Sequence, residues 1–141
     1  MTTINTDLIE KILFLNDKIL KYANENIFNG TPLTPVQFNI LGEIIVNNGI
    51  GISKLKEKLI ISAPALSQIL NRMEVSGLIQ RELNKTNKRE IKIIPTKDAI
   101  DLYNKLNKIY ISLVDEKLSF IPDEDKATTL ALLKNIENII N

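Results

Sequence analysis

The sequence has 141 residues, enough to bury a core within one domain, and its 44% hydrophobic and 25% charged residues are ordinary for a globular protein. It contains no cysteine and no histidine, which excludes disulfides, thiol redox sensing, thiolate nucleophiles and imidazole base chemistry, and leaves only carboxylates to build a zinc site. The net charge of +1 is unevenly spread: Lys54 to Lys97 holds ten basic residues against four acidic ones, a balance of +6, and the rest holds eight against thirteen, a balance of −5. A basic middle between acidic ends suits one surface that meets phosphate and others that do not.

No apolar run approaches the ~20 residues that cross a bilayer. The stretch Met1–Asp7 has neither the basic start nor the apolar core of a secretory signal. The chain is therefore expected in the cytoplasm, with no membrane partner. No internal repeat, low-complexity tract or linker is visible, so residues 1–141 read as one domain.

The first helix is expected where Leu8, Ile9, Ile12, Leu13, Leu15, Ile19, Leu20 and Ala23 recur at helical spacing. It gives way to a loop at Asn26, Asn29-Gly30 and Pro32. Thr34-Pro35-Val36-Gln37 opens the second helix, with Thr34 as N-cap, Pro35 in the first helical position and Gln37 placed for a capping box. Phe38, Leu41, Ile44 and Ile45 give its buried stripe, and Asn47-Asn48-Gly49 ends it.

A short third helix runs from about Ser53 to Leu59. Ser62 caps a fourth, Pro64 lies in its first turn, and Gly77 ends it. Leu66, Ile69, Leu70 and Met73 form its inner face. Leu78–Leu83 and Arg89–Ile94 alternate across the polar stretch Asn84–Lys88, the pattern of a β-hairpin. Pro95 closes the hairpin and Thr96 caps a long fifth helix carrying Ala99, Leu102, Tyr103, Leu106, Ile109, Tyr110, Leu113 and Leu118. Pro122-Asp123-Glu124-Asp125 starts a sixth, its acids facing the positive end of the helix dipole. The fold expected is mainly α with a small β-hairpin, in the order α-α-α-α-β-β-α-α.

Two short helices in a tight turn followed by a basic hairpin make a winged helix-turn-helix. A helix fits the major groove of B-DNA, where base edges present distinguishable donors and acceptors, and the helix before it braces it against the backbone. The outward face of the fourth helix carries Ala63, Pro64, Ala65, Ser67, Gln68, Asn71 and Arg72 behind the cap Ser62. Its start is small enough for close approach, Gln68, Asn71 and Arg72 can pair with bases, and Ser67 suits a base or a phosphate. Lys85, Thr86, Lys88 and Arg89 place the wing on phosphates or in a narrow minor groove. These twelve residues are the candidate DNA-binding set, and double-stranded DNA is the expected partner.

The stretch Leu33–Leu41 resembles the "LT-x-x-Q-x-x-x-L" opening of the MarR family of transcription regulators. Ile61–Arg81 resembles its recognition helix and first wing strand, including Ser67, Gly77-Leu78-Ile79 and Arg81. Asn87-Lys88-Arg89 and Pro95-Thr96-Lys97-Asp98-Ala99 match in position the family's "D-x-R" wing tip and "LT-x-x-G" helix start. The likeness runs from about residue 8 to residue 140. Four positions depart from the pattern: Asn87 stands for the Asp that orients the wing arginine, Lys56 for a frequent Ala, Ile60 for a frequent Gly, and Ala99 for Gly.

The resemblance implies residues 34–95 as the DNA-binding part and 1–30 with 96–141 as helices interleaved in a homodimer. The apolar tail Leu130, Leu132, Leu133, Ile136, Ile139, Ile140 independently favours self-association. Two-fold symmetry then predicts a pseudo-palindromic operator with half-sites about one helical turn, roughly 34 Å, apart. The resemblance further implies a repressor released by a small amphipathic organic molecule, bound among apolar residues of the first, second and fifth helices. Without cysteine or histidine an organic ligand or none remains, and no cofactor or metal is expected. An enzyme is disfavoured, because Asp123, Glu124 and Asp125 sit at a helix start and no phosphate loop or nucleophile motif appears. The alternative function is a winged-helix protein-interaction module that does not bind DNA.

Overall fold

The computed structural model describes residues 3–140; Met1, Thr2 and Asn141, which the reading of 1–141 as one domain includes, lie outside the described residues. The chain divides into two compact units, Met1–Asn107 and Lys108–Asn141.

In the first unit, α1 spans Ile4–Ala23, capped by Thr3, whose hydroxyl accepts the Thr6 N–H at 3.3 Å. The helix does not stop where the loop was expected. It widens into a π-helical turn, Asn24–Phe28, closed by the Asn29 N–H on the Asn24 carbonyl at 2.9 Å. The Asn26 side chain donates to the Tyr22 carbonyl at 2.8 Å, competing for an acceptor that a regular α turn gives to the backbone. This turn buries Ile27 and Phe28.

Helix α2, Pro35–Val46, begins as its sequence predicts: the Gln37 N–H donates to Thr34 Oγ1 at 3.2 Å, and the Thr34 N–H donates to Gln37 Oε1 at 3.0 Å. It buries Phe38, Ile40, Leu41 and Ile44, with Ile45 only half-buried. Ile40 lies outside the expected stripe because α2 is covered on more than one side, and a one-stripe pattern undercounts such a helix.

After the turn at Asn48 and Gly49 (φ 51° and 86°), a strand that the hairpin pattern does not include appears. This β1, Ile50–Gly51, is two residues long, too short to show alternation. It pairs antiparallel with β3, Ile91–Pro95, in the register Ile50↔Ile93 and Gly51↔Lys92. On its other side β3 pairs with β2, Ile79–Leu83, from Ile79↔Pro95 to Leu83↔Ile91, so the sheet order is β1-β3-β2. The second hairpin strand starts at Ile91; Arg89 and Glu90 belong to the turn, where the Glu90 N–H donates to the Asn87 carbonyl at 2.9 Å.

Between β1 and β2 run α3, Ile52–Lys58, and α4, Ala63–Val75. The core joins these elements: Ile40, Leu41, Ile44, Leu55, Leu66, Leu70, Met73, Ile79 and Ile93 are almost wholly buried. An aromatic cluster extends it, with Phe38 stacked on Tyr103 at 4.6 Å and edge-on to Phe28 at 5.3 Å. Thr96 caps α5, Lys97–Leu118, accepting the Ala99 N–H at 3.2 Å while donating to the Gly77 carbonyl at 2.7 Å. One hydroxyl thus ties the start of α5 to the end of α4.

The second unit holds the later part of α5 and α6, Asp123–Ile140, which starts at the predicted acidic turn. Among the described residues α6 buries none of its side chains.

Candidate nucleic-acid interface

Helix α4 turns an apolar stripe inward and leaves the opposite side open. Leu66, Leu70 and Met73 are buried and Ile69 is half-buried. Ser62, Ala63, Pro64, Ser67, Gln68, Asn71 and Arg72 are exposed; Ala65 is half-buried, turned partly toward the core. The Ser62 hydroxyl accepts the Ala65 N–H at 3.4 Å, so its oxygen is engaged as a cap while its hydrogen stays available to an acceptor outside. Gly77 ends the helix at φ 74°, a conformation that L side chains rarely adopt.

Helix α3 packs before it through Leu55, and Lys58 Nζ lies 3.6 Å from Glu43 Oε2 on α2. Lys54 and Lys56 are exposed on the same short helix. Near this pair, burial and then the Glu43 charge raise the Tyr103 phenol above its ordinary value.

One outward residue of α4 is already engaged. Arg81, on β2, donates from Nη2 to Asn71 Oδ1 at 2.8 Å and from Nη1 to Glu74 Oε2. Asn71 and Glu74 lie one turn apart on α4, so a single guanidinium grips both and fastens α4 to β2. From the sequence, Arg81 falls in a strand and Asn71 among base readers, with nothing to connect them. The link spans ten positions and two element types, beyond the reach of any periodicity.

The wing loop, residues 84–90, is ordered by its own polar side chains. Asn84 Oδ1 accepts from the Thr86 N–H at 3.1 Å and the Thr86 hydroxyl at 2.8 Å, while Asn84 Nδ2 donates to Glu90 Oε2 at 3.1 Å. Asn87 Oδ1 accepts the Arg89 N–H at 3.3 Å. Asn87 therefore shapes the Arg89 backbone, a bond its amide oxygen makes as an Asp carboxylate would. The Glu90 carboxylate lies against Gly51, where a Cβ would collide with it. Lys85, Thr86, Lys88 and Arg89 are all exposed, and among the described residues no carboxylate lies within ion-pair distance of the three cations.

Residues 33–91 match the model of the MarR family. The chain is 31% identical over 114 residues to YybA, an HTH-type transcriptional regulator of Bacillus subtilis, covering 78% of this chain and 76% of that one. The chain belongs to the MarR family. Its members are transcription regulators, not enzymes, and this chain is a MarR-family DNA-binding transcription regulator of winged helix fold.

Solved structures share the fold at lower identity. A mutant MarR of E. coli complexed with operator DNA aligns with a TM-score of 0.83 at 23% identity, over 96% of this chain and 99% of that one. PcaV of Streptomyces coelicolor, complexed with its natural ligand, aligns at 0.84 and 12% identity, over 100% and 99%. Among the described residues no helix is long and apolar enough to cross a membrane, and no group of three or more carboxylates is placed to hold a metal ion.

Proposed function

We propose that this MarR-family regulator is a sequence-specific repressor that binds double-stranded DNA as a homodimer in the cytoplasm. The exposed face of α4 enters the major groove, where Gln68 and Arg72 reach base edges and Ser62, Ala63, Pro64 and Ser67 allow close approach. The wing sets Lys85, Thr86, Lys88 and Arg89 on phosphates or in the adjoining minor groove. One observation carries this reading. An amphipathic helix with a small, neutral start lies beside a loop whose three cations have no carboxylate within ion-pair distance among the described residues.

Exposed apolar side chains support the dimer. Leu13 is 60% exposed and Phe14 56% on α1, and Leu130 is 54% and Leu132 58% on α6. Surfaces of this kind mark association sites in proteins that stay soluble. The operator would then be pseudo-palindromic, with half-sites roughly 34 Å apart. A small amphipathic organic molecule would release the repressor. A fold-mate solved with its natural ligand supports this step, as does the lack of any cysteine or histidine to act as sensor.

Electrophoretic shift against duplex DNA from upstream of the protein's own gene tests the reading, with and without added organic acids and phenols. Specific binding should fall linearly in log salt, with a slope reflecting roughly 6–10 neutralised phosphates for a dimer. A monomer without affinity for duplex DNA at low ionic strength would instead favour a protein-interaction module.

A further inference from the structure

Asn71 is usually suited to adenine: its amide oxygen accepts from N6 while its nitrogen donates to N7. In this protein that oxygen already accepts one hydrogen bond, so adenine would have to share it. Arg81 donates to it at 2.8 Å, and because a guanidinium only donates, the atom facing Arg81 must be Oδ1 and the atom turned elsewhere Nδ2. The Glu74 carboxylate holds the other arm of the same guanidinium, so the grip on Asn71 is fixed from a second point. Asn71 nevertheless remains exposed on the outward face of α4.

We propose that Arg81 sets the base preference of Asn71, turning it from an adenine reader into a hydrogen-bond donor that selects guanine. An adenine N6 amine approaching Oδ1 would share that oxygen with Arg81 and lie beside a positive charge. Guanine presents two adjacent acceptors, N7 and O6, which meet the Nδ2 hydrogens and the same charge favourably. Arg81 acts as a positioning residue: it touches Asn71 and Glu74, and its effect on DNA passes through them. This inference rests on the reading that α4 enters the major groove.

The test is selection of duplexes from a randomised library by the full-length protein and three variants. With wild type, the half-site position whose preference Asn71→Ala flattens should be a G·C pair, favoured at least about fivefold. Arg81→Met keeps length without charge, and should move that position toward A·T while other positions hold. Glu74→Gln loosens the network without releasing Asn71, and should leave the G·C preference in place. If Arg81→Met does not fold, wild type against Asn71→Ala decides alone.

An A·T pair at the Asn71 position in wild type, or no position altered by Asn71→Ala, overturns the inference while DNA binding stands. A G·C preference that survives Arg81→Met also overturns it. A library from which wild type enriches no duplex removes the DNA-binding reading, and this inference with it.

Discussion

Lys85, Lys88 and Arg89 project from a loop whose internal hydrogen bonds are made by Asn84, Thr86, Asn87 and Glu90. Division of labour of this sort separates shape from charge: the asparagines hold the turn, and the cations stay available to phosphate. Lys88→Ala should therefore weaken binding to all duplexes alike and reduce the slope of log affinity against log salt by about 0.9 for each phosphate left without its lysine. Gln68→Ala and Arg72→Ala should act differently, each lowering affinity for the specific operator by about 1–3 kcal/mol while leaving random DNA nearly unaffected. Paired titrations on operator and random duplex separate the two behaviours. A Lys88 variant that loses only operator affinity would place that side chain on a base.

Tyr103 offers a residue-scale test of the core. Burial first, and the Glu43 charge second, hold its phenol above the ordinary 10.0. The folded protein keeps that proton to higher pH than the unfolded chain does, so the associated stability is intact below 10.0 and is lost as pH rises through the folded value. Wild type should thus lose stability to urea more steeply than Tyr103→Phe above that pH. Equal slopes would mean that the phenol is freely solvated.

At the scale of elements, the turn after α4 joins it to β2 and to the start of α5. Gly77 adopts φ 74° with nothing within 4 Å of where a Cβ would lie, so a side chain there meets no obstacle except the backbone conformation itself. Gly77→Ala should cost about 1–2 kcal/mol in chemical denaturation from that conformation alone. Gly77→Asn should cost less, because asparagine tolerates the left-handed region. The glycine was legible from its place after the last apolar turn, as was the capping box of Thr34 and Gln37, since both signals lie within a few consecutive residues.

What was not legible depends on partners distant in sequence. Two residues of β1 cannot show a period, and their pairing with Ile93 and Lys92 is settled only when β3 arrives. In the π-helical turn one side chain, Asn26, takes a carbonyl that the backbone normally uses, a competition no periodicity shows. Ile40 is buried because α2 is covered on several sides, a tertiary fact that a helical stripe does not encode. The outward placement of Gln68 and Arg72 could be read from their spacing against Leu66, Leu70 and Met73, whereas the capture of Asn71 by Arg81 could not.

For the whole molecule, the distribution of exposed apolar residues is the strongest constraint. Leu133 on α6 is 46% exposed and Leu13 on α1 60%, each among apolar neighbours on its own helix. If these helices bury one another's surfaces between two copies, a charge placed there is desolvated without a partner, and association fails. Leu13→Asp and Leu133→Asp should each shift sedimentation from dimer to monomer while leaving the core of the first unit folded. In the proposed dimer two linked copies of α4 would bind a two-half-site operator with avidity, so loss of the dimer should lower affinity for the full operator at least about 100-fold. Affinity for an isolated half-site should change little, because one chain still presents α4 and its wing. That contrast separates a failed dimer from a failed fold, which would abolish both. A wild-type protein that sediments as a monomer and binds half-site and full operator equally would remove the two-fold model, along with the expected spacing of roughly 34 Å.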